Sequence, residues 1–138
     1  MAIESGFLNV DLDIRAPSGL WDLVVGLSRT TFALQLNEEF ASLELIDQPT
    51  SPDDAIKRFA EALSSITVDL KQVWDNSTSR CFNIGFSSST GGTPLHYAIS
   101  EKSIATVREL RASIVVTIYS TSAPAPTPPA TPTTPLTT

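Results

Sequence analysis

The segment 7–14 alternates between polar and apolar residues, and this alternation constrains the fold more than any other feature of the chain. As a β-strand it would have an apolar side, formed by Leu8, Val10, Leu12 and Ile14. Its other side would be polar, formed by Asn9, Asp11 and Asp13. A strand buried on both faces would be apolar throughout, so one face of this sheet contacts water or a partner. Such strands are typical of antiparallel sheets. The pattern therefore predicts an open polar sheet face, which is the first candidate for a binding surface.

The last nineteen positions differ in composition from the rest of the chain. Residues 120–138 contain six of the ten prolines and carry no charge. Such a segment lacks many backbone donors and has almost nothing to bury, which is typical of a solvated tail. The remaining length suits one core of modest size. We predict a single α+β globular domain at residues 1–119 and a disordered Pro/Thr-rich tail at residues 120–138.

The charge of the chain restricts its partners. Fifteen acidic and nine basic residues give a net charge of −6, and all of them precede residue 120. A phosphate backbone would be repelled, so we expect no nucleic-acid partner. The chain has one cysteine, starts without a secretory signal pattern and contains no apolar run of the roughly 20 residues that cross a bilayer. We expect a cytoplasmic protein that does not enter a membrane.

Hydrophobic periodicity and capping residues predict the order strand, helix, two strands, two helices, two strands, helix, strand. The clearest local signal is Ser51 followed by Pro52, an N-cap and a first-turn proline. On the helices Phe59, Trp21 and Trp74 fall on apolar stripes, and Val116 falls on the apolar side of the last strand. The prediction is an α+β fold with a mostly antiparallel sheet of about six strands and helices packed on one face. The expected strands are 7–14, 32–36, 40–46, 80–86, 95–99 and 113–119.

Three segments carry a resemblance to a known class of proteins. They are Arg-Cys-Phe-Asn-Ile-Gly-Phe at 80–86, Tyr-Ala-Ile-Ser-Glu-Lys-Ser at 97–103 and Ala-Ser-Ile-Val-Val-Thr-Ile-Tyr at 112–119. With the hydrophobic pattern of residues 7–119, they resemble small uncharacterised bacterial α+β proteins of a domain-of-unknown-function family. The resemblance implies a compact α+β domain in a bacterium, and it brings no catalytic residues.

Two hypotheses for function come from the polar residues. Asp11 and Asp13 lie two apart, so on a strand their Cα atoms would be about 7 Å apart on one face. With His96, the single histidine, they could form a small metal-dependent hydrolase site that holds Mg²⁺ or Ca²⁺. A solvated strand face and a surface histidine are the simpler interpretation. Cys81 beside Arg80 would be a nucleophile only if it faced His96.

The glycine-containing segment 88–93 could bind an anion, but it lacks the lysine and the following helix of a phosphate-binding loop, so a hairpin loop is favoured. The preferred hypothesis is a non-enzymatic protein-binding module of the immunity or regulatory type, with a basic protein as its possible partner and without a metal or cofactor. Its binding residues would be those of the open polar face, namely Asn9, Asp11, Asp13, Asn83, Thr117 and Tyr119.

Overall fold

A computed structural model describes residues 6–88 and 94–120 as an α+β domain with four helices and five strands. The predicted α+β class is confirmed. Ser120, the first residue of the predicted tail, belongs to the last strand, and the rest of that tail and the loop at 89–93 lie outside the described residues. The elements in chain order are β1 (Gly6–Arg15), α1 (Leu20–Gly26), β2 (Thr31–Leu36), β3 (Phe40–Leu45), α2 (Pro52–Ser64), α3 (Val68–Asn76), β4 (Ser79–Ser88), α4 (Glu101–Glu109) and β5 (Ser113–Ser120).

The strands form one sheet in the order β2-β3-β1-β4-β5. The pairs β2–β3, β3–β1 and β1–β4 are antiparallel, whereas β5 runs parallel to β4 after the connection through α4. The expectation of a mostly antiparallel sheet of about six strands is therefore not matched, because the sheet has five strands and is mixed. A parallel neighbour requires a crossover long enough to return the chain to the same end of the sheet, and α4 provides it.

The predicted strand at 95–99 is not part of the sheet. Its alternation has a different cause, because Leu95, Tyr97 and Ile99 line a groove together with side chains of β4 and β5. The Tyr97 ring lies 5.1 Å from the ring of Phe86, and its hydroxyl oxygen accepts a hydrogen bond of 3.2 Å from the backbone nitrogen of Phe7. The segment packs on the sheet through its side chains instead of adding a strand.

A β-bulge interrupts the opening strand at Leu8. Phe7 pairs with Phe86, but Asn9 pairs with Gly85, so Leu8 has no partner of its own in the β1–β4 register. The side chain of Leu8 is 38% exposed and lies on the polar face, whereas the Phe7 ring packs 6.1 Å from Phe86 on the apolar side. The expectation that Leu8 joins the core was wrong, because the extra residue of a bulge reverses the alternation before it.

All four helices pack on one face of the sheet, which we call the covered face. Val10, Leu12 and Ile14 of β1 are fully buried there, as are the facing residues of β3 and β4. The Phe59 ring from α2 lies 5.8 Å from that of Phe82 and is 1% exposed, which confirms its predicted core position. No helix within residues 6–88 and 94–120 is long and apolar enough to span a bilayer.

Val116 and Trp21 were also expected in the core and are exposed. Val116 is 50% exposed and lies on β5, the edge strand of the sheet. Trp21 is exposed because α1 turns Leu20 and Leu23 towards the core instead. Trp74, by contrast, is buried as predicted.

The helix starts follow the predicted capping chemistry. The Ser51 hydroxyl accepts a hydrogen bond of 3.0 Å from the nitrogen of Asp54, and Ser100 caps α4 in the same way through Ser103. Asp53, in the first turn of α2, accepts hydrogen bonds from the Ser100 nitrogen at 3.0 Å and from the Ser103 hydroxyl at 2.6 Å. One carboxylate therefore joins the N-termini of two helices.

Candidate functional site

The second sheet face carries no described helix, and we call it the open face. Along β1, β3, β4 and β5, the residues that point to this face alternate with residues that point to the covered face. Because it is polar at its centre and uncovered by the described elements, it is the surface most available to a partner. Its central residues are Asn9, Asp11, Asp13, Ser42, Glu44, Cys81, Asn83, Gly85, Val115, Thr117 and Tyr119.

The structure brings the six residues of the predicted binding surface onto this one face. Asp11 is paired with Asn83 across β1 and β4, and Asn83 is joined to β5 because the Thr117 hydroxyl donates a hydrogen bond of 2.8 Å to its side-chain oxygen. Tyr119 and Asn9 lie at the same end, on either side of Gly85. Alternation along separate strands therefore assigned these residues to the correct face before the strand order was known.

Sequence reasoning missed Glu44, which lies directly opposite Asp11 on β3. The pKa of Asp11 is raised to about 6, first by burial and then by the charge of Glu44, a hydrogen bond to Glu44 and the charge of Asp13. The alternation of Leu43, Glu44 and Leu45 shows that Glu44 faces away from the core, but no local signal shows which residue it meets. The pairing of the two carboxylates depends on the register between β1 and β3.

Asp13 has a partly structural role. Its carboxylate accepts a hydrogen bond of 2.6 Å from the Ser42 hydroxyl, and Ser42 is buried. Removal of the carboxylate would leave this buried hydroxyl without its acceptor, which costs free energy of folding. Asp11 and Glu44 are therefore the carboxylates of this face that are better suited to a ligand.

A shallow pocket of about 150 Å³ lies at one end of the open face. Its lining combines the carboxylates of Asp11 and Glu44 with the apolar surfaces of Leu8 and Tyr119. An amphipathic cation such as a lysine side chain, with an apolar stem and a charged end, matches this combination. The pocket is lined by Leu8, Asn9, Asp11, Glu44, Asn83, Gly85 and Tyr119.

The catalytic alternative does not assemble in this fold. The side chains on either side of His96, those of Leu95 and Tyr97, pack on the covered face, whereas Asp11 and Asp13 lie on the open face. Within the described residues, no three His, Cys, Asp or Glu side chains form a group that could hold a metal ion. The geometry thus gives the hydrolase hypothesis no common site.

Cys81 is not activated by its neighbour in sequence. Burial raises the pKa of its thiol, and the charge of Asp13 raises it further. The guanidinium of Arg80 is directed elsewhere, since it donates hydrogen bonds to the carbonyl oxygens of Trp74, Ser77 and Arg111. The pKa of this thiol is therefore raised although Arg80 is its neighbour in the sequence.

A larger groove, about 490 Å³, lies between α2 and α4. One of its carboxylates, Asp53, is already used as an acceptor by Ser103 and Ser100, which holds its pKa below the usual range. This groove therefore belongs to the junction between the helices. The segment 88–93, for which a hairpin loop was favoured over an anion-binding loop, lies mostly outside the described residues.

Comparisons with known proteins do not add a functional assignment. No family model matches the chain, and neither the curated proteins nor the solved structures include a match. The resemblance to small bacterial proteins stays a prediction.

Proposed function

We propose that this protein is a non-enzymatic binding module whose open face takes a basic segment of a partner protein. The observation that carries the proposal is the pocket whose lining combines the carboxylates of Asp11 and Glu44 with Leu8 and Tyr119. A lysine or arginine side chain of the partner would lay its stem against the tyrosine ring and place its cation between the two carboxylates.

The electrostatics of the pocket favour a cation over a neutral group. Asp11 and Glu44 repel each other when both are ionised, which is part of why the pKa of Asp11 is raised. A bound cation removes this repulsion and stabilises both charges. Near pH 6, binding should therefore release a proton, and affinity should increase as the pH rises from 5 to 7.

The net charge of −6 favours the same class of partner. An acidic surface accelerates association with a basic protein and repels nucleic acid. An immunity or regulatory protein that occupies a basic site on its target would have these properties, and the proposal for this chain is of that type.

The test is a titration of the full chain with a short peptide of alternating lysine and threonine, followed by NMR of backbone amides. We expect shifts confined to the open face and an affinity that decreases with added salt. The variant Asp11→Asn/Glu44→Gln keeps the side-chain shapes and should weaken binding about tenfold or more, since an ion-paired hydrogen bond contributes about 1.5–3 kcal/mol.

The matched control is Glu61→Gln/Glu109→Gln, which removes two exposed charges from the helical layer. It should bind as the unmodified chain does. If both double variants lose affinity equally, the peptide responds only to net charge and the pocket has no special role. Shifts on the helices, or a lack of binding at low salt, would also contradict the proposal.

A further inference from the structure

The last strand, β5, forms one edge of the sheet and pairs with β4. Within the described residues it has no strand on its other side. It is eight residues long, contains no charge and no proline, and stays in register with β4 throughout. Its large side chains are exposed on both faces of the sheet: Val115 44%, Val116 50%, Ile118 62% and Tyr119 55%.

The opposite edge of the sheet differs. The strand there, β2, is six residues long and has a bulge between Ala33 and Gln35. Edge strands commonly carry bulges, charges or prolines because these features prevent pairing with another chain. Only β2 has such a feature, so β5 is the edge that remains suited to pairing.

We propose that β5 pairs with β5 of a second copy of this chain, antiparallel and about a two-fold axis, so that the two five-stranded sheets become one. The charge distribution permits a second copy at this strand. β5 contains no charged residue, so two copies of it can lie side by side without like charges opposite each other, although the net charge of −6 makes the chains repel each other elsewhere.

The alternation of side chains limits the register of this pair. Residues directly opposite each other in an antiparallel pair point to the same face. The two-fold axis must therefore pass between one residue and the same residue of the other copy. With the axis at Thr117, Val116 lies opposite Ile118 on the covered side and Val115 lies opposite Tyr119 on the open side. This register pairs the four exposed apolar side chains with one another. An axis at Val116 would place Tyr119 opposite Ser113 instead.

The tail that follows β5 is poorly suited to occupy the same edge. Prolines at 124, 126, 128, 129, 132 and 135 have no backbone N–H to donate. A ladder alongside β5 would lack these hydrogen bonds, and proline is rarely found in a strand paired on both sides. A second β5 can offer a donor at every position.

The pairing also affects the surface used by the proposed function, although it does not depend on that function. A two-fold axis perpendicular to the sheet places the open faces of both copies on the same side. The dimer would present two acidic pockets on one continuous surface.

The first test is sedimentation equilibrium of the full chain from about 1 μM to about 1 mM, a range in which weak dimers dissociate. We expect a mass that rises from 14.8 kDa towards twice that value. Ile118→Lys should remain monomeric with an unchanged circular dichroism spectrum, because it places two like charges close together at the interface. Leu34→Lys on β2, which replaces a side chain of similar exposure on the other edge, should leave the dimer intact.

The second test examines the register with single cysteines in a Cys81→Ser background. Thr117→Cys should form an oxidised dimer readily, because the two copies of this residue face each other, whereas Val115→Cys should form it more slowly. A monomer at all concentrations, or a dimer that only Leu34→Lys dissociates, would overturn the proposal. So would a chain ending at Ser120 that dimerises when the full chain does not, since the tail would then be the occupant of the edge.

Discussion

Asp11 makes stability depend on pH in the direction opposite to most carboxylates. Its pKa is about 6 in the folded protein, against about 3.9 for an aspartate in an unfolded chain. The folded state therefore holds this proton more tightly. Its contribution to stability is fully present below pH 4 and is lost as the pH rises through 6.

From this we predict that Asp11→Asn raises the free energy of unfolding at pH 7.5 by about 1 kcal/mol, after allowance for screening by water at this half-exposed site. The gain should be absent at pH 4, where the wild-type side chain is protonated. Urea denaturation at both pH values measures it. Glu38→Gln, an exposed change in the β2–β3 turn, should leave the free energy of unfolding unchanged at both pH values. An equal effect of both variants would show that the pKa of Asp11 is not raised by burial and Glu44.

Among the elements, those defined by local chemistry were predictable and those defined by distant partners were not. The caps at Ser51 and Ser100 depend on residues three positions away, so the sequence contains all the information needed. The bulge at Leu8 could not be predicted, because the polar and apolar residues of the sequence alternate in the same way with or without a bulge. The segment 95–99 alternates like a strand because one side of it packs on β4. It differs from a strand of the sheet only in its backbone, which is not paired with a neighbouring strand.

The junction between α2 and α4 gives a prediction for one carboxylate. Asp53→Ala removes the acceptor for the Ser100 nitrogen, the Ser100 hydroxyl and the Ser103 hydroxyl, and should cost about 1–2 kcal/mol of folding free energy. These bonds lower the pKa of Asp53, so its contribution is present above pH 4 and is lost as the pH falls further.

The matched control for this prediction is Asp69→Ala, which removes a first-turn aspartate from α3. It should cost only a few tenths of a kcal/mol through the helix dipole. Thermal denaturation at pH 7 and pH 3 compares the two variants. Equal losses at pH 7, or a loss for Asp53→Ala that is as large at pH 3 as at pH 7, would contradict this account of the junction.

For the whole molecule, the residues of the proposed binding surface could be predicted from the sequence, but their arrangement could not. Alternation placed Asn9, Asp11 and Thr117 on one polar face, because each strand separates its own side chains without reference to its neighbours. The pocket needed the order of the strands as well, since Glu44 meets Asp11 only because β3 lies beside β1. β5 runs parallel to β4 because α4 returns the chain to the same end of the sheet, and no single segment of the sequence shows this direction.

The boundary of the domain gives the last prediction. A chain that ends at Ser120 keeps all five strands and removes eighteen residues without charge. Its melting temperature, measured at a fixed concentration, should stay the same, because such a segment offers little burial against the entropy of ordering it. A decrease of more than about 4–8 °C, equivalent to roughly 1 kcal/mol in a domain of this size, would show that the tail contributes to the fold.

The position of β5 at the sheet edge also affects how the chain can fold during its synthesis. A ribosome makes a protein from its N-terminus, so β1, β2, β3 and β4 are complete before β5 is made. These four strands are consecutive in the sheet and all antiparallel. They can therefore pair while the rest of the chain is still being translated. The final strand then adds to an edge that is already formed, and no earlier strand has to move to admit it.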